Sequence, residues 1–189
     1  QNLNYLLNIL ISKKIKLFAA ESFTGGLFSE MITSVPGSSK SFELCLVTYS
    51  NISKQKLLDI PCNILNTYGA VSKEVASLMS LNILKKYSSF KKSISVSCTG
   101  IAGPDGGNKE KPVGTTYFSF TYRNKNTIIK KNFSNGYRES IRYDAANFMV
   151  KNLIDIVEWT NYNKKFFRYD LYNLVPLLSE SRENQNYSY

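Results

Sequence analysis

The sequence predicts a single-domain α/β layered sandwich, a mixed β-sheet with helices packed on its faces. Three observations lead there. The chain has 189 residues, the size of one domain at ~100–200 residues each. Amphipathic stretches at helical spacing alternate with short apolar runs, the mark of layered α/β architecture. With 43% hydrophobic residues there is also enough apolar surface to fill a core, so disorder and a disulfide scaffold are poor descriptions.

Leu3, Leu6, Leu7, Leu10 and Ile11 recur at helical spacing across 3–13, and 16–20 then reads as a short buried strand ending at Glu21-Ser22. After Thr24-Gly25-Gly26, Leu27, Met31 and Ile32 mark a second amphipathic helix that stops at Val35-Pro36-Gly37. The apolar run 44–49 is a strand, and Ser50-Asn51 caps a helix through Lys54, Leu57 and Leu58 that Pro61 ends. Ser72 caps the next helix, which buries Val75, Leu78, Met79 and Leu84 and runs to about Tyr87. A strand over 93–97 leads into a glycine-rich loop, 99–107. Strands over 113–122 and 127–133 follow, joined antiparallel through Arg123-Asn124-Lys125-Asn126. A long helix over 138–159, apolar along Ile141, Ala145, Phe148, Met149 and Ile156, closes the domain at 1–161. From Tyr162 the composition turns to Tyr, Asn, Lys and Ser, so 162–189 is expected to be a C-terminal extension with a disordered end.

The chain contains no histidine, and Cys45, Cys62 and Cys98 are scattered without a C-x-x-C pair. That excludes a histidine triad, a histidine general base and a zinc site built within this chain. The cysteine pattern and the lack of a signal-peptide h-region lead us to expect reduced thiols in a cytoplasmic protein. No apolar run approaches the ~20 residues of a membrane span. The net charge of +10 rests on 24 Lys+Arg, mostly lysines dispersed in pairs, with only five arginines. Such dispersed charge reads as a solvated surface rather than a nucleic-acid interface, and its field favours a small anionic substrate.

Three segments at strand ends, where open α/β sheets bind ligands, carry the candidate chemistry. In Glu21-Ser22-Phe23-Thr24-Gly25-Gly26 a serine sits beside glycines whose N–H groups suit an anion; the alternative is a plain helix cap. In Tyr49-Ser50-Asn51-Ile52-Ser53-Lys54 a tyrosine and a first-turn lysine share one crevice. Without histidine, a desolvated lysine is the natural base for a serine, and Tyr49 is a candidate relay; the alternative is an exposed lysine and a core tyrosine. The loop from Thr99 and Gly100 to Gly107 suits a phosphate or carboxamide cradle, or is simply a turn. Arg138 and Arg142, one helical turn apart, suit a phosphate, or are two solvated charges.

Together these segments resemble the CinA C-terminal domain family, the nicotinamide mononucleotide (NMN) amidohydrolases. The matching stretches are Ala20-Glu21-Ser22 with Thr24-Gly25-Gly26, Thr33 to Ser39, Val47-Thr48-Tyr49-Ser50-Asn51 with Lys54, Tyr68 to Ser72, and Thr99 to Gly107 continuing through Lys111-Pro112-Val113-Gly114. They run in order over about 17–115, with Arg138 and Arg142 beyond. The resemblance implies hydrolysis of the NMN carboxamide to nicotinate mononucleotide and ammonia, without a cofactor or metal. Ser22 would be the nucleophile, Lys54 the base and Tyr49 its partner. Thr24, Gly25, Gly26, Thr99, Gly100, Arg138 and Arg142 would bind the substrate, with Arg138 near the phosphate. The expected partner is a small phosphorylated nucleotide, neither a membrane nor a nucleic acid, and the expected assembly is a homo-oligomer, a dimer. Two departures stand out: Phe23 occupies a place where the family commonly has cysteine, and Glu43-Leu44-Cys45 one where it has small residues. If their bulk fills the crevice, the fold is a non-catalytic remnant that binds a nucleotide or a partner protein.

Overall fold

The computed structural model describes residues 2–133 and 136–162, so the segment from 163 onward, and with it nearly all of the expected extension, lies outside the described residues. The elements are α1 (Asn2–Ser12), β1 (Lys16–Glu21), α2 (Leu27–Thr33), β2 (Phe42–Val47), α3 (Asn51–Leu58), α4 (Cys62–Tyr68), α5 (Lys73–Tyr87), β3 (Ser93–Gly100), β4 (Thr115–Tyr122), β5 (Lys125–Asn132) and α6 (Arg138–Tyr162). A short 3₁₀ turn, Ser38–Lys40, precedes β2.

The five strands form one sheet in the order β2-β1-β3-β4-β5. β1 pairs parallel with β2 and β3, while β4 runs antiparallel to β3 and β5. The sheet is therefore mixed, as predicted. Because side chains alternate along a strand, β1 feeds two cores. Leu17 and Ala19 pack with Leu6 of α1, Phe28 of α2 and Met149 of α6. Phe18 and Ala20 pack with Leu58 of α3, Ile64 of α4 and Met79 of α5 on the other side. Helices thus cover both faces. Among the described residues no helix is long and apolar enough to cross a membrane.

Several boundaries differ from the sequence reading. α3 already ends at Leu58 with Asp59 as its left-handed C-cap, and Pro61 is instead the N-cap of α4, a helix the sequence reading missed, which buries Ile64 and Leu65. Proline suits a helix start as well as a stop, since its missing N–H is not needed there. The strand expected over 44–49 lies at Phe42–Val47, because Val47 is the last residue paired with β1 and the chain then turns into α3. β3 reaches Gly100, three residues beyond expectation, by pairing with Thr116 of β4. The β4–β5 connection is tighter than expected. Arg123 and Asn124 alone make it, both at positive φ (51° and 60°), the geometry of a two-residue hairpin turn that matches strand twist.

Candidate active site

The carboxyl ends of β1 and β2 lie side by side, with Glu21 opposite Val47. Thr48 secures the junction by donating its N–H to the Glu21 carbonyl at 2.8 Å. Ser50 then caps α3 in a reciprocal box with Ser53, the two side chains satisfying each other's backbone N–H groups. This fixes the helix so that Lys54 and Leu58, four residues apart, turn inward together. The consequence is a lysine with 0% exposure beside the end of β1.

Lys54 Nζ lies 3.0 Å from Ser22 Oγ and donates to the carbonyls of Thr48 at 2.6 Å and Tyr49 at 3.4 Å. Burial lowers its ammonium from the ordinary 10.5 to about 8, against a smaller opposing effect of Cys98. About a tenth of the amine is therefore neutral at pH 7 and about half at pH 8. The nearby thiols do not compete as nucleophiles: burial pushes Cys98 up to about 12 and Cys45 higher still, so both stay protonated. Serine with a neutral amine is the reactive pair this arrangement offers.

Ser22 sits on a turn closed by Gly25 N–H donating to the Ser22 carbonyl at 3.0 Å. The buried Glu21 carboxylate holds the following helix. It accepts the N–H groups of Gly26 at 3.0 Å, Phe28 at 3.3 Å and Ser29 at 3.0 Å, and the Cys45 thiol at 3.3 Å. Sequence reasoning passed over Glu21, although a signal existed. The N-cap of α2 is Gly26, which has no side chain to cap with, and an acid a few residues before a Gly-Gly helix start can supply the missing acceptor.

The other expected site residues are distributed around this pair. Tyr49 is exposed, and its hydroxyl accepts from Arg138 Nη2 at 3.2 Å rather than meeting Lys54, which touches only its backbone carbonyl. Arg138 Nη1 also donates to the Gly103 carbonyl at 2.7 Å, tying the glycine-rich loop to the rim. Arg142 faces inward onto protein, donating through Nε to the Phe23 carbonyl at 3.1 Å and through Nη2 to the Thr24 carbonyl at 2.7 Å. The Thr24 hydroxyl is paired with Cys98 Sγ, and that of Thr99 donates to the Ala70 carbonyl. Gly100 serves packing: a Cβ there would fall 2.9 Å from Phe23 and 2.7 Å from Thr116. Gly25 and Gly26 have their N–H groups engaged within the protein, as given above. Among the described residues no group of three or more His, Cys, Asp or Glu is arranged to hold a metal.

The two departures are absorbed by the fold. Phe23 is buried in the core beside α1, α2 and α6. Glu43 pairs with Lys16 at 3.1 Å, Leu44 packs against the core under α3 to α5, and the Cys45 thiol meets Glu21.

Fold and site together define a three-layer α/β domain with a buried serine–lysine pair at the ends of its parallel strands. The chain belongs to the CinA C-terminal domain family, whose model matches residues 2–157. The nicotinamide-nucleotide amidohydrolase PncC of Enterobacter agglomerans is 42% identical over 135 residues, covering 71% of this chain and 80% of that protein. A putative competence-damage inducible protein of Clostridioides difficile (strain 630) is 43% identical over 145 residues, 77% of this chain but 34% of that protein. The chain spans about a third of the length of this and other larger relatives it matches. Among solved structures, a CinA superfamily protein from Escherichia coli superposes with a TM-score of 0.77 at 27% identity, covering 82% of this chain and 88% of that one. A competence/damage inducible protein from Agrobacterium tumefaciens gives 0.74 at 31% identity, covering 82% and 95%.

Proposed function

We propose that this chain hydrolyses the carboxamide of NMN to nicotinate mononucleotide and ammonia, with Ser22 as nucleophile and Lys54 as general base. The observation that carries the reading is the buried Lys54 amine 3.0 Å from the Ser22 hydroxyl, with its proton affinity lowered by burial to a range where it can act as a base. The amidohydrolase name of the Enterobacter agglomerans relative supports the choice of substrate.

In this mechanism neutral Lys54 takes the Ser22 proton as Oγ adds to the carboxamide carbon. The resulting ammonium returns a proton to the departing nitrogen, which leaves as ammonia and gives an ester on Ser22. Water, deprotonated by the same lysine, then adds to the ester and releases the nicotinate carboxylate and the serine. Arg138, held at the rim by Gly103 and Tyr49, supplies a cation for the substrate phosphate. We place the reaction in the cytoplasm, in keeping with three free cysteines, Cys45, Cys62 and Cys98. The homodimer expected from the sequence remains part of this proposal.

The test is release of ammonia and nicotinate mononucleotide from NMN by the purified chain, beside the Ser22→Ala variant. Turnover by the wild type and none by the variant is the expected result. Undiminished turnover by Ser22→Ala removes the covalent mechanism, and NMN binding without turnover by the wild type would make the chain a non-catalytic binding domain.

A further inference from the structure

We infer that the backbone N–H groups of Phe23 and Thr24 form the oxyanion-binding pair of this site, and that Arg142 is the positioning residue that orients it. The inference rests on the reading of Ser22 as nucleophile but is independent of NMN as the substrate.

Hydrolysis at Ser22 requires donors for the negative charge that develops on the attacked carbonyl oxygen. Along the turn and the first part of α2, most N–H groups are already engaged. Gly25 donates to the Ser22 carbonyl and Leu27 to the Thr24 carbonyl; Gly26, Phe28 and Ser29 donate to Glu21. Between Phe23 and Ser29, only the N–H groups of Phe23 and Thr24 donate to no acceptor among the described residues. In a serine turn of this kind, the hydroxyl of the first residue and the N–H of the third lie on the same side, close enough to bond each other. Here the Ser22 hydroxyl is held by Lys54 instead. That side of the turn therefore presents the nucleophile and the Thr24 N–H together, with the unengaged Phe23 N–H one peptide before it.

The carbonyls of the same two peptide groups are pinned from behind. The Thr24 N–H shares its peptide plane with the Phe23 carbonyl, which Arg142 Nε holds at 3.1 Å. The Phe23 N–H shares its plane with the Ser22 carbonyl, which Gly25 N–H holds at 3.0 Å. Since a peptide group is planar, fixing its carbonyl fixes the direction of its N–H. Donation from a guanidinium also polarises the Thr24 N–H, making it a stronger donor. Arg142 reaches the next carbonyl, that of Thr24, with Nη2 at 2.7 Å, so one planar fork spans two successive peptides. The close approach requires glycine at 25, where φ is +63° and a Cβ would lie 3.3 Å from Arg142 Nη2. The sequence reading gave Arg142 a place on the substrate; with two of its guanidinium nitrogens on backbone carbonyls, its role is to shape the turn.

The experiment compares wild type with Arg142→Ala and Arg142→Lys in two assays. One is NMN hydrolysis, separated into kcat and KM. The other is the second-order rate at which a fluorophosphonate labels Ser22, a reaction in which the Oγ–P bond forms, fluoride leaves, Lys54 takes the proton, and the phosphoryl oxygen occupies the oxyanion position. We expect kcat and the labelling rate to fall together by about 10²–10³ with KM nearly unchanged. Lysine should rescue poorly, because one ammonium cannot bridge two carbonyls in a plane, whereas added millimolar guanidinium should restore part of the labelling of Arg142→Ala. Should Arg142→Ala fail to fold, Arg142→Lys keeps the charge and much of the packing and carries the test. A raised KM with kcat and labelling intact would overturn the inference and return Arg142 to the substrate. Labelling that depends on Arg142 in a protein without NMN turnover would support the inference while removing NMN as substrate. A wild type that neither labels at Ser22 nor hydrolyses NMN would overturn both.

Discussion

Replacing Lys54 with methionine tests the buried base without any substrate. The lysine is fully buried, and burial lowers its ammonium from 10.5 to about 8. Below pH 8 both folded and unfolded chains hold the proton, and the folded one bears the full penalty of a buried cation. Between about 8 and 10.5 the unfolded chain holds a proton that the native state has released, so stability rises with pH. Above 10.5 both are neutral and the penalty is gone. At 1.36 kcal/mol per unit, the depression corresponds to roughly 3 kcal/mol. Lys54→Met keeps the stem and deletes the charge, but it leaves the Ser22 hydroxyl and the Thr48 carbonyl without their donor, at about 1–3 kcal/mol. At pH 7 these effects nearly cancel, so a single melting temperature decides nothing. The difference between the two proteins is diagnostic. From pH 7.5 to 10.5 the wild type should gain about 3 kcal/mol on the variant, or roughly 6–12 °C in Tm for a domain of this size. Thermal unfolding of both proteins across that range, followed by circular dichroism, is the assay. A gap that stays flat, or moves against the wild type, would refute a depressed Lys54 and with it a neutral amine beside Ser22. Turnover should rise along the same titration, with its midpoint near 8.

Arg138→Ala should weaken NMN by about 1.5–3 kcal/mol more than nicotinamide riboside, which lacks the phosphate; equal losses in kcat/KM on the two would leave Arg138 only its ties to Gly103 and Tyr49. Phe23→Cys should destabilise the fold by about 2–4 kcal/mol, somewhat less than a full Phe→Ala truncation, without raising kcat/KM, because the ring lies in the core. Urea unfolding within 1 kcal/mol of wild type, or a sharp gain in activity, would place the ring in the crevice instead.

The elements that were legible are those whose signal is local. The run 17–20 is apolar on both strand faces, as a central strand between two helical layers must be, and Ser72 caps α5 where the pattern puts it, accepting from Val75 N–H. α4 was not legible, since Pro61 reads equally as a stop and a start and only Ile64 and Leu65 signal burial in a seven-residue helix. At the site, the types and spacing of Ser22 and Lys54 suggested a pair, but their contact depends on the parallel register of β1 against β2, which no local pattern encodes. The sequence places Tyr49 near Lys54 but does not tell which of its atoms face the lysine. As Thr48 and Tyr49 leave the strand, the backbone carbonyls turn toward the lysine and the tyrosine ring turns out to the rim. The partners of Arg142 lie 118 and 119 positions away, so an arginine on a helix face looks the same in sequence whether it meets a phosphate or two carbonyls.

Phe23 departs from the residue common at its place in the family, and the fold takes its ring into the core. At that residue the side chain and the backbone face different surroundings. The ring packs into the core and against Gly100 and Thr116, while the carbonyl is fixed by Arg142. Two charged side chains outside the serine–lysine pair hold the turn, Glu21 through the N–H groups that follow it and Arg142 through the carbonyls within it. Both grip backbone atoms, the carbonyls common to every residue type and N–H groups that all but proline possess. The side chain at 23 is then constrained by the space behind the turn, and that space is set by the absence of a Cβ at Gly100, whose addition would press on the Phe23 ring at 2.9 Å. A phenylalanine ring at 23 therefore relies on glycine at 100, a position that Thr116 at 2.7 Å and the Thr115 carbonyl at 3.0 Å also keep free of a Cβ.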